Sequence, residues 1–178
     1  INTVMADFST QPNNTNFLSN VGAKFMIKKL PNVNYFIQNV ALPAVDVGDI
    51  EIATPFSAKL KYPGDLVSYQ DLVITFRVDE DMNNYVELYN WIKSITRVDD
   101  FDESTAWNKQ NTNPGGDDGV FSDGTLFVLN SAMNPNKEVI FRDLYPSSLS
   151  DLPFTTQVND IDYIECTATF RYRTFDII

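Results

Sequence analysis

Clusters of acidic residues are the part of this 178-residue chain that could carry chemistry. They lie within residues 79–81, 99–103 and 117–118. Two neighbouring carboxylates can serve as the acid and the nucleophile or base of a hydrolase. The same residues are also typical of a charged helix end and of solvated loops, and nothing beside them supplies a partner base. We therefore expect no catalytic site, and a carboxylate-based hydrolase stands only as an alternative hypothesis.

Histidine is absent from the sequence, which removes many enzymatic mechanisms. It is the commonest general base and transition-metal ligand, and it activates many serine and cysteine nucleophiles. The single cysteine, Cys166, can form neither an internal disulfide nor a thiolate metal cluster. Residues 100–104 resemble the start of a calcium loop, but Thr105 occupies the place where an EF-hand needs glycine. The sequence thus predicts a protein that is not an enzyme and uses no cofactor or metal.

The charge of the chain is strongly acidic. It has 13 Lys and Arg against 24 Asp and Glu, a formal net charge of -11. A protein that holds nucleic acid by its phosphates needs a basic surface, so tight DNA binding is not expected. The same charge disfavours attachment to anionic lipid, and no apolar run approaches the roughly 20 residues of a membrane span. We therefore expect no membrane anchoring.

Hydrophobic periodicity predicts a mainly β chain with one helix. Residues 71–78 alternate between apolar and polar side chains, which is typical of a strand with one buried face. The spacing then changes to three and four residues, which predicts an amphipathic helix over residues 81–95. Its expected core stripe is Tyr85, Leu88, Tyr89, Ile92 and Ile95, with Asn83, Asn84, Glu87 and Asn90 facing solvent.

Three further strand signals complete the predicted architecture. Residues 24–30 and 33–42 predict a hairpin around the turn signal Pro31-Asn32, and residues 125–131 and 137–144 predict a second hairpin. Residues 161–175 predict one long strand with Cys166 on its apolar face. The sum is about six to seven mostly antiparallel strands, which favours a β-barrel or sandwich with one flanking helix.

Three irregular segments flank or interrupt this single domain, which spans residues 21–178. Residues 1–20 are rich in Asn, Ser and Thr and predict a flexible N-terminal arm. Residues 44–65 contain Pro55 and Pro63, and prolines confine a segment to edge strands and loops, so an extended arm is expected. Residues 98–124 are polar and hold four of the seven glycines, which predicts a long loop.

The order of short motifs resembles one known family. The motifs are ALPA at 41–44, KYPGD at 61–65, YQDLVITF at 69–76 followed by acidic residues 79–80, YNWI at 89–92 and LYPS at 144–147. This order is similar to that of the tail tube proteins of contractile-tailed bacteriophages, from about residue 21 to residue 178. The resemblance implies a β-barrel or sandwich with a flanking helix, like the tube subunit of type VI secretion systems.

The same resemblance implies a structural role in the virion. Six copies would form a ring whose inner strands join into one barrel, and stacked rings would form the inner tube of a contractile tail, through which DNA is ejected. The implied partners are further copies of the chain, sheath and baseplate proteins, and DNA in passage without tight binding. Assembly would take place in the host cytoplasm. Alternatives of the same class are a baseplate or initiator protein of tube-like fold, or a tube subunit of a type VI or other injection system.

Two sets of residues are the candidates for these contacts. Because the proline-containing arm is expected to be extended, we expect it to reach a neighbouring subunit or ring through Glu51, Ile52, Pro55, Phe56, Lys59, Lys61 and Tyr62. Asp71 and Glu165 lie on the polar faces of their strands and are the candidates for the lumen. An acidic lumen would repel DNA, provided that Arg77, Arg171 and Arg173 on these faces pair with acids or point elsewhere.

Overall fold

The computed structural model describes residues 15–53, 55, 59–96, 120–156 and 162–178. Residues 1–14 of the expected arm, Phe56, and residues 98–119 of the expected loop lie outside this part of the chain. The elements in the described part are β1 (Ala23–Ile27), α1 (Pro31–Phe36), β2 (Ile37–Val40), β3 (Val45–Ala53), β4 (Lys59–Tyr69), β5 (Leu72–Arg77), α2 (Asn83–Thr96), β6 (Ser122–Leu129), β7 (Pro135–Leu149), β8 (Glu165–Arg171) and β9 (Thr174–Ile177). The prediction of a mainly β fold is confirmed.

Seven antiparallel strands form two layers that share the long strand β7. One layer contains β1, β6, the first part of β7, and β9. The other contains β2, β5, β8 and the last part of β7. At the corner where β7 changes partners, Asp143 has a φ of 55°, a left-handed conformation that aspartate adopts more readily than most residues. Strands β3 and β4 form a separate two-stranded sheet.

The core lies on the apolar side of the alternating strands. Leu72, Ile74 and Phe76 of β5 are fully buried, as the sequence pattern predicts. Their cross-strand partners on β8 are Phe170, Ala168 and Cys166, which are also buried. Because residues directly opposite each other on antiparallel strands share a face, the two strands bury one common surface.

Helix α2 packs against this core through a stripe that differs from the predicted one. Leu88 is fully buried as expected, but Tyr89 is 51% exposed. Trp91 is fully buried instead, with its ring 6.2 Å from that of Phe170. Asn84, which was expected to face solvent, is also fully buried. The helix is therefore rotated toward Asn84, Leu88 and Trp91, which are four and three residues apart.

The predicted hairpin around Pro31-Asn32 is wrong. Pro31 instead begins helix α1, a position where proline loses no helical hydrogen bond. Strand β1 pairs with β6, and β2 pairs with β5. The Asn34 side chain holds the helix to β1, since its Oδ1 accepts a hydrogen bond from the Ile27 amide and its Nδ2 donates one to the Ile27 carbonyl, both at 2.7 Å. The described chain thus has two helices where one was predicted.

The single strand predicted over residues 161–175 is divided in the structure. Strand β8 ends at Arg171 and pairs with β5 and β7, whereas β9 begins at Thr174 and pairs with the first part of β7. The chain therefore crosses between the two layers at Tyr172 and Arg173. The hairpin predicted over residues 125–131 and 137–144 is confirmed by the pairing of β6 with β7.

Candidate functional site

An extended row of exposed apolar side chains lies on the hairpin formed by β3 and β4, here called the arm hairpin. Every residue of β3 is exposed, and on β4 only Gly64 is partly covered. The predicted contact residues Glu51, Ile52, Lys59, Lys61 and Tyr62 all lie on it, and Pro55 lies exposed near its tip. Strands β3 and β4 occupy most of the segment 44–65 that was expected to form an extended arm.

The arm hairpin has two distinct halves. Its register shifts between Val47 and Asp49, where a Cβ on Gly64 would lie only 2.7 Å from the carbonyl oxygen of Gly48. Only glycine allows the two backbones to approach so closely. The outer half, residues 49–53 and 59–63, extends beyond this point.

The outer half is amphipathic. Ile50 pairs with Tyr62 and Ile52 pairs with Leu60, so these four apolar side chains share one face, and each is 45–55% exposed. The other face carries the charged residues of the hairpin. An exposed apolar surface of this kind is typical of an interaction site.

Ion pairs satisfy the charged face of the arm hairpin within the subunit. Lys59 Nζ lies 2.6 Å from Glu51 Oε2, and Lys61 Nζ lies 2.7 Å from Asp49 Oδ2. The hydrogen bond from Lys61 and its charge lower the pKa of Asp49 below its ordinary value. These charged groups therefore have partners within the subunit. The four apolar side chains on the opposite face remain about half exposed.

Aromatic side chains attach the base of the arm hairpin to the two-layer core. The ring of Tyr69 lies 6.0 Å from that of Tyr172 and 5.5 Å from that of Phe175. The Tyr172 hydroxyl donates a hydrogen bond to the Gln70 carbonyl at 2.9 Å. Burial raises the pKa of Tyr172 to about 12, so this donor keeps its proton at neutral pH. The hairpin is therefore anchored at one end and uncovered along its length.

The layer of β2, β5, β8 and the last part of β7 has two outer strands. Within the described residues, β2 pairs only with β5, and residues 145–149 of β7 pair only with β8. Each outer strand therefore has one edge whose backbone groups are not bonded to another strand. Such edges favour pairing with a further chain unless they are covered. Here this layer is called the open-edged sheet.

The two lumen candidates lie at opposite ends of the face that this sheet turns away from the core. Asp71 Oδ1 lies 3.3 Å from Arg171 Nε, and Glu165 Oε1 lies 3.8 Å from Arg77 Nε. Arg173 likewise pairs with Asp143 at 3.0 Å. Arg77, Arg171 and Arg173 therefore each face a carboxylate, which is a condition of the acidic-lumen hypothesis.

Sequence reasoning missed two parts of these surfaces. Ile50 and Leu60 were not named as contact candidates, although their spacing of two from Ile52 and Tyr62 was a visible signal for one apolar face. The unpaired edge of β2 was missed because the segment was assigned to a hairpin with β1. An edge depends on strand order, which hydrophobic alternation does not reveal.

The described residues offer little for catalysis. They contain no group of three or more acidic, cysteine or histidine side chains placed to hold a metal ion. Cys166 is buried, and burial raises the pKa of its thiol, which disfavours the reactive thiolate. Among the helices of the described chain, none has the length and apolar character to cross a membrane.

Free strand edges and a projecting hairpin with an uncovered apolar face are typical of a structural protein that assembles through its strands. The sequence comparison agrees with this class. Residues 3–178 match the phage tail tube protein family, and the chain belongs to that family. It is a structural protein of the phage virion tail.

Individual relatives show the same relationship. The tail tube terminator protein of Enterobacteria phage T4 is 26% identical over 175 residues, covering 94% of this chain and 89% of that protein. The tube-terminating cap of the anti-feeding prophage has a similar fold, with a TM-score of 0.60, 15% identity, and coverage of 98% and 99%. A chain of the sheath–tube complex of an extracellular contractile injection system also has a similar fold, with a TM-score of 0.55 and 17% identity. The match covers 88% of this chain and 87% of that chain.

Proposed function

We propose that this chain forms hexameric rings in the tube of a contractile phage tail and that DNA leaves the capsid through the channel of these rings. The observation that carries the proposal is the open-edged sheet. In a closed ring, the free edge of β2 in one copy would pair with residues 145–149 of β7 in the next. Each copy then uses both edges of the open-edged sheet, and the closed ring leaves neither of these two edges exposed.

The arm hairpin supplies a second contact between copies. The apolar face formed by Ile50, Ile52, Leu60 and Tyr62 would pack on a neighbouring subunit in the same ring or an adjacent one. Burying apolar surface is the main favourable term in most protein association. The charged face, with Glu51, Lys59 and Lys61, would remain toward solvent.

Sheath and baseplate proteins are the further partners of this proposal. Folds like this one occur in a sheath–tube complex and in the baseplate of the anti-feeding prophage, which supports an environment of that kind. A tube-like protein of the baseplate would use the same ring geometry. The chain's place along the tube is therefore a separate question from its ability to form rings.

A terminator ring at the end of the tube is a second candidate, and one observation favours it. The T4 relative that matches nearly the whole chain is a tail tube terminator protein. A terminator of this fold would close one ring and then stop, whereas a tube subunit would stack ring upon ring. The two roles differ in copy number and in position.

Electron microscopy of the purified chain tests ring formation. Closed rings in negative stain are expected, and long tubes would indicate the repeating subunit. A monodisperse monomer under every salt and concentration condition would contradict the proposal.

Quantification and gold labelling of the chain in purified virions distinguish the two positions. Labelling along the whole tail with many copies identifies the tube subunit. Labelling at one end with the copy number of a single ring identifies a terminator or a baseplate protein. Absence of the chain from virions would contradict both roles.

A further inference from the structure

Counted together with Asp71, which immediately precedes β5, the open-edged sheet carries no net charge, although the chain as a whole has a net charge of -11. Its strands and Asp71 contain two acidic and two basic residues: Asp71, Glu165, Arg77 and Arg171. Strand β2 and residues 145–149 of β7 contain no charged residue. The whole acidic excess of the chain therefore lies outside this sheet.

The strand register places these charges as two opposed pairs. Arg77 on β5 is directly opposite Glu165 on β8. At the other end of the same ladder, Leu72 is opposite Phe170, which brings the preceding Asp71 next to Arg171. Because the strands are antiparallel, each end of the ladder receives one acid and one base.

Tyr163 helps to hold one of these pairs in place. The Arg77 guanidinium lies 4.9 Å from the centre of the Tyr163 ring and also forms the ion pair with Glu165. All four charged side chains of the two pairs are about half exposed. Ion pairs exposed to this extent contribute little to folding stability, so stability alone does not explain the match of charges.

Uncharged side chains, all of them polar except Val73, occupy the face between the two pairs. Thr75 is opposite Thr167, and Val73 is opposite Thr169. On the neighbouring strands, Asn39 pairs with Thr75 and Ser148 pairs with Thr169. These hydroxyl and amide groups bind water and carry no net charge, so they add no Coulombic attraction or repulsion toward phosphate.

We infer that this face is a charge-balanced lining for the DNA channel, in which Asp71 and Glu165 cancel the charges of Arg171 and Arg77. The inference rests on the proposed function, and it places this face on the channel side of the closed ring. It assigns the two lumen candidates a role other than making the wall acidic. A basic wall would bind DNA by displacing its counterions, whereas a balanced wall leaves those counterions in place. DNA would therefore slide past hydroxyl and amide groups without being held.

Removing the two carboxylates tests the inference. In the double variant Asp71→Asn/Glu165→Gln, both arginines lose their acidic partners while side-chain size is kept. Fluorescence anisotropy with a labelled duplex should show no saturable binding by the wild-type chain at about 50 mM salt. The double variant should bind at least about tenfold more tightly, and its affinity should fall about tenfold or more between 50 and 200 mM salt.

A matched control removes two other exposed carboxylates. Glu80→Gln/Asp81→Asn makes the same change in net charge outside the open-edged sheet. The control should remain as weak a DNA binder as the wild type. Equal binding by the control and the test variant would overturn the inference, as would tight binding by the wild type.

A charge exchange guards against a folding artefact. The variant Asp71→Arg/Arg171→Asp keeps one acid and one base in that pair and should bind DNA no better than the wild type. If it binds like the carboxylate-removal variant, charge balance is not the cause and the inference fails. Ring formation is recorded for every variant by negative-stain microscopy, so the absence of rings, which bears on the proposed function, is seen separately from DNA binding.

Discussion

The Asn84 side chain joins the start of helix α2 to the end of strand β5 by donating a hydrogen bond from its Nδ2 to the carbonyl of Arg77 at 2.7 Å. Its Oδ1 also accepts a longer hydrogen bond, 3.4 Å, from the Asp79 amide. Asn84 is fully buried, so its side chain has no contact with bulk solvent. The residue therefore fixes where the helix begins relative to the open-edged sheet.

Asn84→Ala should destabilise the chain by about 1–3 kcal/mol, because the Arg77 carbonyl and the Asp79 amide lose a partner in a part-buried environment. For a chain of this length, each kcal/mol lowers the melting temperature by about 2–4 °C. Asn83→Ala is the matched control, since Asn83 is the exposed neighbour at the start of the same helix. Thermal unfolding followed by circular dichroism measures both, and equal melting temperatures would contradict the role of Asn84.

Leu88→Ala should cost about 2–5 kcal/mol in the free energy of unfolding, the range for removing a large buried side chain. Leu88 is fully buried in the core between α2 and the strands. Tyr89→Ala is the control on the next residue, and its exposed ring predicts a cost within about 0.5 kcal/mol. Urea unfolding gives both values. A cost near zero for Leu88→Ala would show that the helix presents another face to the core.

The contrast among these helix residues shows what the sequence could predict. Its period placed the helix within two residues of its observed ends and put Leu88 in the core. It assigned Asn84 and Tyr89 to the wrong sides. From the sequence, an asparagine whose amide is buried with two hydrogen-bond partners cannot be distinguished from one that faces solvent. Hydrophobicity scores a side chain, whereas burial also depends on the backbone groups that surround it.

Other parts of the structure depended on contacts distant in sequence. The alternation of apolar and polar residues in β5 and β8 could be predicted from the sequence because each strand has one buried face. The separation of β1 from β2 could not be predicted, since Pro31 is compatible with a turn and with the first residue of a helix. The arm hairpin was expected to be extended, but its amphipathic character follows from the register of Ile50 with Tyr62 and of Ile52 with Leu60.

Glu87→Gln should increase stability at neutral pH. Burial raises the pKa of the Glu87 carboxyl, although the amides of Val33 and Asn32 partly oppose this by hydrogen bonding to it. Its Oε2 is buried without a hydrogen-bond partner among the described residues. A raised carboxyl pKa in the folded state means that stability is lost as pH rises from the ordinary value through the folded-state value. Glutamine keeps an acceptor for the amides and removes that loss.

The expected signature is a difference that depends on pH. The variant should melt above the wild type at pH 7, and the gap should close as the pH falls below the ordinary pKa of glutamate. Glu80→Gln, at an exposed site just before α2, is the control for the general effect of removing a negative charge. A gap of the same size at every pH, or one shared by the control, would exclude titration of Glu87 as its cause.

Shortening the arm hairpin should prevent assembly without unfolding the chain. Replacing residues 51–61 with Asn-Gly joins Ile50 to Tyr62, which are already paired, through a two-residue turn. No residue of the hairpin belongs to the buried core, so the variant should melt close to the wild type. Sedimentation velocity should show a monomer where the wild type shows rings or larger assemblies. Assemblies of wild-type size would refute the contact assigned to this hairpin.

A pair of double variants locates that contact on one face of the arm hairpin. Ile52→Gln/Leu60→Gln alters a cross-strand pair on the apolar face, and Glu51→Gln/Lys61→Gln alters the adjacent pair on the charged face without changing the net charge. Both pairs are exposed in the subunit, so each variant should change the free energy of unfolding by no more than about 0.5 kcal/mol. The apolar-face variant should lose assembly, because contact with a neighbour would then bury two polar amide groups where two aliphatic side chains were. The charged-face variant should still form rings in negative stain, and loss of rings in that variant alone would place the contact on the opposite face.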